Sequence, residues 1–339
     1  MNFNNKTILI TGGAGFIGSN LVFYFQEYFP ESHIVVFDCF RNNNRFTNGN
    51  LLSFGHFSNL IGFKGDVICG NINSKDDLRK LQNYKFDYIF HQAAISDTRI
   101  YDQEIIMETN VNSFYDILEL SNKNNAVLVY ASSAATYGNS ASPQVIGKEN
   151  PQNPYGFSKY MMDQVAYQFG NENPNMTIIG LKFFNVYGPR EILAAGRWRG
   201  TLHTVWRNVV PTFIWKSMLG EALPLDNGGN ASRDFIFVED MARGLVACAE
   251  NGQPGEAYNL ASGAETSILE LAKMINELTG NTTPVDLKPA RDWDRSGKRF
   301  GSTSVPGRSL TFHSLLYFYN SCATCWTRTA TRHSTVAST

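Results

Sequence analysis

Tyr155 and Lys159 have the residue types and the spacing of a proton-transfer pair. They lie four positions apart in the segment NPYGFSK, and this separation places two side chains on one face of a helix. An ammonium group held beside a phenol lowers the pKa of the phenol, so that a tyrosine can act as a base or an acid near neutral pH. The alternative interpretation is a packed aromatic at a helix start beside a solvated lysine.

A glycine-rich turn near the N-terminus supplies the second chemical feature. Gly12, Gly15 and Gly18 form the pattern GxxGxxG within TGGAGFIG. Glycines at this spacing permit a tight turn, let the backbone approach a pyrophosphate and allow helix and strand to pack closely. The N-terminus of the following helix then faces the phosphates. A dinucleotide site combined with the Tyr–Lys pair predicts hydride-transfer chemistry.

Asp38 ends the strand that follows this turn and its helix. A carboxylate there accepts hydrogen bonds from the adenosine ribose hydroxyls and repels a 2′-phosphate, which favours NAD as the cofactor. Arg41 and Arg45 follow closely and could neutralise a 2′-phosphate, so NADP stays open as the alternative. A local role for Asp38, as a cap of its turn, is the other interpretation.

Ser132 and Ser133 end another predicted strand, at the edge where open α/β sheets bind their ligands. A hydroxyl there can hold a reacting substrate oxygen and relay its proton to Tyr155. Two serines at a strand end are also common turn chemistry, so it is the nearby Tyr–Lys pair that favours the functional interpretation.

Strands and helices alternate along the first part of the chain. Short apolar runs predict strands over 6–11, 33–37, 67–69, 88–91, 126–131 and 177–181, and helical spacing predicts helices over 16–29, 76–81, 110–122 and 155–169. Beyond residue 189, the pattern predicts a strand over 235–238 and helices over 241–250 and 268–278. This order indicates an α/β fold, a doubly wound parallel sheet of the Rossmann type with a smaller interleaved C-terminal substrate domain.

Three regions follow from this pattern. Residues 1–189 are expected to form the dinucleotide-binding domain, residues 190–302 mainly the substrate domain with some return segments, and residues 303–339 an aberrant or disordered tail. The tail from 304 to 339 has no Asp, Glu or Lys, and Cys322 and Cys325 form a CATC in it. Because no second Cys or His pair with zinc spacing accompanies that motif, no metal site is predicted.

The composition excludes several classes of partner. A formal net charge of -1 argues against nucleic acid or acidic lipid bound by bulk electrostatics. No apolar run reaches the roughly 18 residues of a membrane span, and no signal-peptide pattern opens the chain. We expect a soluble cytoplasmic enzyme, in which Cys39, Cys69 and Cys248 are ordinary buried thiols.

Six segments, taken in order, carry a family resemblance: TGGAGFIG, HQAA, YASSAATYG, YGFSK, FFNVYGPR and RDFIFVEDMA. The set resembles the extended short-chain dehydrogenase/reductase family that acts on nucleotide sugars, over about residues 5–302. The resemblance implies tightly held NAD and transient chemistry. In that chemistry NAD oxidises a sugar carbon, the keto-sugar intermediate is rearranged, and the hydride usually returns.

The resemblance also implies roles for individual residues. Tyr155 is similar to the general base, Lys159 to its pKa-lowering and ribose-binding partner, and Ser133 to the hydroxyl-orienting residue. Asn185 and Arg233 match residues that contact the substrate diphosphate, for which a bidentate guanidinium is suited. Ser132 is grouped with these substrate contacts. The implied cofactor contacts are Gly12, Gly15, Phe16, Ile17, Gly18, Asp38, Arg41, Asn71, Ile72, Gln92, Ala93, Ala94, Asn110, Tyr155 and Lys159.

Within the family, the likeness divides near Glu191. The preceding part resembles ADP-glycero-manno-heptose 6-epimerases, through NGNLLSFGHFSNLIGF and HQAAISDT, whereas GRWRGTLHTVWRNVVPTFIWKSMLGEALPL and DWDRSGKRFGS resemble epimerases and decarboxylases of UDP-sugars. Heptose epimerases carry a lysine shortly after GPRE that acts as a second acid/base. Here ILAA follows GPRE, and no lysine occurs before Lys216. Asn71 is a second departure, because the family usually has Asp there.

These features together predict an NAD-dependent epimerase of a nucleotide-diphosphate sugar, with a UDP-sugar preferred. ADP-heptose 6-epimerisation and decarboxylation or dehydration of a UDP-sugar are the enzymatic alternatives, and an inactive dinucleotide- or nucleotide-sugar-binding protein is the other class. The resemblance further implies a homo-oligomer with a place in carbohydrate metabolism and lipopolysaccharide biosynthesis. The tail after Thr303 matches nothing in the family.

Overall fold

A seven-stranded parallel sheet organises the computed structural model, which describes residues 3–191, 208–290 and 297–302. The strands are β1 Thr7–Thr11, β2 His33–Asp38, β3 Asp66–Cys69, β4 Tyr88–His91, β5 Val127–Ser133, β6 Ile178–Phe183, β7 Asn185–Tyr187, β8 Pro224–Asp226, β9 Ser232–Arg233, β10 Phe235–Phe237, β11 Ala257–Leu260, β12 Thr266–Ser267, β13 Asp286–Lys288 and β14 Lys298–Arg299. The sheet order is β3-β2-β1-β4-β5-β6-β11, with every neighbour parallel. The predicted doubly wound α/β fold is confirmed.

The described residues form eight α-helices, which lie on the two faces of this sheet or in a separate group beyond it. They are α1 Phe16–Tyr28, α2 Lys75–Arg79, α3 Gln103–Met107, α4 Ser113–Asn124, α5 Pro154–Glu172, α6 Val209–Met218, α7 Val238–Asn251 and α8 Ile268–Thr279. Sequence chemistry explains the start of α5, because Asn153 accepts a hydrogen bond from the Gly156 amide at 2.7 Å and Pro154 occupies the first turn. The predicted helix over 110–122 corresponds to α4, except that its first residues belong to a π-helical segment at Glu108–Asn112. This segment joins α4 to α3, which the pattern did not predict.

The core lies on the two faces of the large sheet. On one face, side chains of β1, β2 and β4 pack with α1 and α7, around residues such as Leu21 and Leu245. On the other face, α4 and α5 pack on the sheet through residues such as Phe114 and Met162. Because both faces are covered, the strands are continuous apolar runs rather than alternating ones.

Several elements were not predicted from the sequence pattern, among them one strand of the large sheet and one helix. Strand β11, the seventh of the sheet, has only the four residues AYNL, too few for a periodicity. Helix α6 contains Pro211, which reads as a helix breaker in isolation. The proline lies in the first turn, where its missing N–H costs no helical hydrogen bond.

A smaller group of elements packs beyond the sheet. Helices α6 and α8 enclose an apolar cluster with β8 and β10, including Phe213, Leu225 and Leu271. Strand β8 pairs with β13, and β9 pairs with β12 and β14. The chain alternates between this group and the large sheet, since α7 and β11 lie against or within the sheet.

Two cysteine expectations are wrong. Cys248 is buried in α7, but Cys39 and Cys69 are exposed. Cys39 directly follows β2 and Cys69 ends β3, so both thiols lie at the carboxyl edge of the sheet and outside the packed core. The tail with Cys322 and Cys325, and the ILAA segment, lie outside the described residues. None of the described helices is both long and apolar enough to cross a bilayer.

Candidate active site

A cavity of about 1510 Å³ runs along the carboxyl edge of the large sheet and continues to the smaller group of elements. The glycine turn, the end of β5, the start of α5 and strands β9 and β14 all contribute to its wall. The predicted site residues in this wall are Gly12, Gly15, Phe16, Ile17, Gly18, Asp38, Asn71, Ile72, Gln92, Ala93, Ala94, Ser132, Ser133, Tyr155, Lys159, Asn185 and Arg233. Arg41 and Asn110 do not occur among the described residues that line it.

The glycine turn is shaped for a ligand that needs close contact with the backbone. Gly12 has a φ of +70°, and a Cβ atom on it would lie 2.7 Å from the Ala93 nitrogen. A Cβ on Gly18 would lie 2.3 Å from the Gly12 oxygen, so α1 packs directly on the turn. Gly15 precedes α1 without any side-chain cap, which leaves the helix N-terminus to face the cavity. These features fit a dinucleotide pyrophosphate.

Asp38 caps its own turn and also lines the cavity. Its carboxylate accepts hydrogen bonds from the Ala14 amide at 3.0 Å and the Phe40 amide at 2.8 Å, so it does cap its own turn. Burial raises the pKa of this carboxyl group, and the two amides oppose that rise. The same side chain lines the cavity at the end of β2, where a ribose would lie. Arg45 instead donates to the Gly49 oxygen in the exposed loop.

The end of β4 offers an amide to a ligand. Both amide atoms of Gln92 are buried without a hydrogen-bond partner in the described part of the chain. Since buried polar groups are almost always paired, this side chain fits a bound group in the cavity. Asn110 is occupied elsewhere: its side chain bonds the amide and the oxygen of Ile95 at 2.8 and 2.9 Å and thereby shapes the loop after β4.

Asn71 also stands in this wall, between β3 and α2. Its main-chain N–H donates to the Asp77 carboxylate at 2.9 Å. Its side-chain oxygen accepts a hydrogen bond from the main-chain N–H of Asn73 at 3.0 Å. Asn71 is therefore held in a local turn, and both Asn71 and Ile72 line the cavity.

Ser133 at the end of β5 and Tyr155 and Lys159 on α5 line the same cavity. Lys159 is 2% exposed, and its Nζ donates to the Ala131 oxygen at 2.8 Å. Burial lowers the pKa of Lys159 to about 7, while the Asp163 carboxylate acts in the opposite direction. Ser133 accepts a hydrogen bond from the Ala135 amide at 3.1 Å, which orients its hydroxyl at the strand end. Ser132 is tied to Asp163 behind the cavity, through a bond of 3.0 Å.

His91 is a buried neutral imidazole beneath this site. Its Nδ1 lies 2.8 Å from the Thr11 hydroxyl, and its ring stacks on Phe114 with centroids 5.5 Å apart. Burial lowers the pKa of His91 to about 3, and the nearby charge of Lys159 adds to this effect. A charged imidazole is therefore excluded from this position at neutral pH.

Two arginines meet at the far end of the cavity. Arg233 on β9 is the register partner of Arg299 on β14, and both side chains line the wall. Arg233 donates to the Ser232 and Gly297 oxygens at 2.7 and 3.1 Å, which orients its guanidinium. Sequence reasoning missed Arg299, although it lies inside the GKRF segment. Asn185 begins β7 and lies in the same wall.

Asp234 follows Arg233 in the chain and lies buried next to the arginine pair. It is fully buried and accepts the Ser262 amide and hydroxyl at 2.7 and 2.6 Å and the Gly263 amide at 2.9 Å. Burial raises the pKa of this carboxyl group against the effect of those bonds. Arg233 and Arg299 make this part of the cavity wall polar and positively charged. Over the described ranges, no group of three or more His, Cys, Asp or Glu side chains is arranged to hold a metal ion.

Comparison with known proteins agrees with this architecture. The sequence model of the NAD dependent epimerase/dehydratase family matches residues 8–261. A curated relative, the ADP-L-glycero-D-manno-heptose-6-epimerase of Brachyspira hyodysenteriae, is 32% identical over 275 residues, which is 80% of each chain.

Two solved structures are similar over most of the chain. The ADP-L-glycero-D-manno-heptose-6-epimerase of Helicobacter pylori is 38% identical, with a TM-score of 0.71 over 88% of this chain and 86% of that one. The enzyme WbmF of Bordetella bronchiseptica, in complex with NAD⁺ and UDP, is also 38% identical, with a TM-score of 0.71 over 88% and 84% of the two chains.

Proposed function

The chain belongs to the NAD dependent epimerase/dehydratase family, and from that premise we propose that it epimerises a nucleotide-diphosphate sugar, with a UDP-sugar preferred. The observation that carries the proposal is the cavity along the carboxyl edge of the large sheet. It joins the glycine turn, the Ser133–Tyr155–Lys159 group and the arginine pair in one wall. A dinucleotide at one end and a sugar diphosphate at the other would place the sugar beside the proton-transfer group.

The described residues fit NAD, and the family uses it. The backbone cradle at Gly12 and Gly18, the cavity-facing Asp38 and the unpaired Gln92 amide would hold it. When bound, NAD would accept a hydride from the sugar carbon and give it back. The carboxylate of Asp38 would repel a 2′-phosphate, which supports NAD over NADP.

Tyr155 is proposed as the residue that moves the proton. Its phenol would take the proton of the sugar hydroxyl as the carbonyl forms and return it after the hydride comes back. Lys159 would hold the phenol in its reactive state through its charge, and the Ser133 hydroxyl would orient the sugar oxygen. The Lys159 ammonium is buried and its pKa lies near 7, so small changes of environment alter the charge of the pair.

The arginine pair is proposed as the diphosphate clamp. Two guanidinium groups that enter from register partners match the several oxygens of a diphosphate. Asn185 adds an amide in the same wall. Because β8, β9, β13 and β14 all lie beyond the large sheet, we propose that residues 190–302 form mainly the substrate domain and residues 1–189 the dinucleotide domain.

The preference for a UDP-sugar rests on two observations. First, the chain has ILAA directly after Glu191 and no lysine before Lys216. A second acid/base for the opposite face of a C6 ketone is therefore missing from the position expected in heptose epimerases. Second, WbmF, at 38% identity, was solved with UDP. Epimerisation at C4 needs only one acid/base group if the keto-sugar turns in the pocket before the hydride returns.

ADP-heptose 6-epimerisation is the second candidate. The curated relative and the Helicobacter pylori structure, both at 30% identity or more, are heptose epimerases. Decarboxylation or dehydration of a UDP-sugar would use the same hydride and proton groups, with loss of carbon dioxide or water in place of epimerisation.

Competition binding and product analysis test the proposal. The purified holoenzyme is titrated with UDP-glucose, UDP-N-acetylglucosamine and ADP-heptose, and NMR and mass spectrometry then follow isomer exchange and loss of carbon dioxide or water. The proposal expects tighter UDP-sugar binding with inversion at C4. Preferential ADP-heptose binding with inversion at C6 would overturn the ranking. Retained NAD without turnover of any nucleotide sugar would favour an inactive binding protein.

A further inference from the structure

A buried charged cluster lies directly behind the candidate active site. Lys182 on β6 is 1% exposed. Its Nζ forms ion pairs with Asp163 on α5 and with Glu149, the latter at 3.2 Å. Removing ionic groups from water costs several kcal/mol per ion, and such clusters often add little net stability. Its location suggests a role in the chemistry in front of it.

Asp163 is the member of this cluster that touches the active-site elements. One carboxylate oxygen accepts from the Tyr130 hydroxyl at 3.0 Å, and the other accepts from the Ser132 hydroxyl at 3.0 Å and from Lys182. Three donors therefore meet two carboxylate oxygens. These bonds connect α5 with two neighbouring strands, β5 and β6.

The spacing along α5 makes this connection significant. Asp163 follows Lys159 by four residues, and Lys159 follows Tyr155 by four, so the three side chains lie along one helical face. At the other end of the connection, Ser132 immediately precedes Ser133. Lys182 also bonds the Thr136 hydroxyl at 3.2 Å, in the short turn that Ser133 caps.

We propose that Asp163 is a positioning residue for the Tyr155–Lys159 pair, because it joins the helix that carries the pair to the strand end that carries Ser132 and Ser133. Lys182 holds the Asp163 carboxylate in place from β6. The kinetic part of this inference rests on the proposed function. Displacements of about 1 Å between reacting groups can cost on the order of 10²-fold in rate, so a buried tether at this point sets the catalytic geometry.

The same carboxylate also acts on Lys159 electrostatically. Burial lowers the pKa of Lys159, and the charge of Asp163 raises it. His91 on β4 faces Lys159 as a neutral group, and Tyr155 shares its helix. Around Asp163, Tyr130 on β5 stays a neutral donor because burial, reinforced by Asp163, raises its pKa well above the usual value. Lys182 on β6 and Glu149 complete the charged surroundings.

Asp163→Asn and Glu149→Gln form a matched pair of variants. Each removes one carboxylate charge from Lys182 and leaves it the other. Only Asp163→Asn replaces one of the two acceptor oxygens facing Tyr130, Ser132 and Lys182 with an N–H donor, and only it removes the charge that acts on Lys159. Tyr130→Phe is the milder second variant, because it cuts one tether and leaves all charges and the aromatic shape.

Two readouts are measured on the holoenzyme. The first is kcat and KM for the nucleotide sugar that the wild type turns over. The second needs no substrate: NMR titration of ¹³C-labelled lysine side chains, with the Lys159 signal assigned through Lys159→Arg. NAD retention and cooperative unfolding establish that each variant is folded.

For Asp163→Asn, kcat should fall on the order of tenfold to a hundredfold with KM within about twofold, and Lys159 should titrate at lower pH than in the wild type. Glu149→Gln should leave both quantities close to wild type. Tyr130→Phe should lower kcat without moving the titration of Lys159. Equal behaviour of Asp163→Asn and Glu149→Gln in both readouts would overturn the inference.

Two further results remain decisive. If Asp163→Asn does not fold, an unchanged kcat in Tyr130→Phe would contradict the inference that the bonds of Asp163 to β5 position the Tyr155–Lys159 pair. If the wild type turns over no nucleotide sugar, the proposed function fails, but the Lys159 titration in Asp163→Asn and Glu149→Gln still decides the inference.

Discussion

The Nζ atom of Lys159 lies 2.8 Å from the main-chain oxygen of Ala131, the residue that precedes the two serines at the end of β5. Together with the bonds of Asp163 to Tyr130 and Ser132, this bond ties the helix that carries the Tyr–Lys pair to the strand that carries the two serines. It also gives a hydrogen-bond acceptor to the buried Lys159 ammonium group. Burial lowers the pKa of this group to about 7. The proton-transfer group is thus held by the junction of α5 and β5.

Replacing Tyr155 with Phe should reduce turnover on the order of 10²–10⁴-fold, the usual contribution of a positioned acid/base. NAD binding should be nearly unchanged, because the aromatic ring remains. Steady-state kinetics and NAD titration measure the two effects. Tyr167→Phe, on the exposed side of the same helix, is the control and should keep full activity. An active Tyr155→Phe enzyme would remove tyrosine from the proposed mechanism.

Asp38→Ala should weaken NAD more than NADP, since it removes both the ribose acceptor and the charge that repels a 2′-phosphate. Some loss for both cofactors is expected, because the Ala14 and Phe40 amides lose their acceptor. Calorimetric titration with the two cofactors gives the ratio. Asp76→Ala, an exposed carboxylate paired with Arg79, should leave both affinities unchanged. An unaltered NAD/NADP ratio in Asp38→Ala contradicts the assignment.

Arg233→Lys and Arg299→Lys should each raise KM for the nucleotide sugar by roughly 10–100-fold, the equivalent of one or two lost charge-assisted bonds. Lysine keeps the charge and loses the bidentate fork. NAD affinity should not change, because the glycine turn lies at the other end of the cavity. Arg79→Lys, exposed on α2, serves as the control. A KM unchanged in both active-site variants would place the diphosphate elsewhere.

Gly18→Ala should abolish NAD retention or destabilise the fold. Its Cβ would lie 2.3 Å from the Gly12 oxygen, a backbone atom that cannot move aside cheaply. Gly170→Ala is the matched control inside α5, where the nearest atom would be the end of Ile178 at 3.9 Å. Alanine there should be neutral or stabilising, because it favours the helix. Thermal unfolding and the absorbance of bound cofactor report both outcomes; an NAD-bound Gly18→Ala protein of normal stability would contradict the packing argument.

His91 should make the protein sensitive to mild acid. Its pKa is about 3 in the folded protein, lowered by burial, against about 6.5 when unfolded. Between these values the unfolded chain binds an extra proton, so stability falls as pH decreases from 6.5 towards 3, by up to about 1.4 kcal/mol per pH unit from this site. Urea unfolding at several pH values should show a smaller slope for His91→Asn, which cannot titrate. Equal slopes for His91→Asn and the wild type would show that ionisable groups other than His91 cause the loss of stability in acid.

His33→Asn is the control for that experiment. His33 is exposed at the start of β2 and pairs with Asp66 at the surface. A surface substitution of this kind should change the free energy of unfolding at neutral pH by no more than about 0.5 kcal/mol, which gives the baseline for the His91→Asn series.

Local sequence was sufficient for much of this protein. The glycine turn, the body of helix α5 and the strands β1, β2, β4 and β5 could be predicted directly, because turn chemistry and hydrophobic periodicity act over a few residues. The Tyr–Lys pair could be read for the same reason, since four residues along a helix always share a face. The element order then implied the parallel sheet and its ligand-binding edge.

Tertiary structure alone decided which residues meet. Arg233 and Arg299 lie far apart in sequence and become neighbours only through the pairing of β9 with β14. The resemblance implied cofactor contacts for Asn110 and Arg41. In the fold the Asn110 side chain instead bonds Ile95, and neither residue occurs among those that line the cavity. The contact of Asp163 with Lys182 likewise depends on the packing of α5 on β6. Strand register and helix packing are long-range, so no local pattern of residues encodes these contacts.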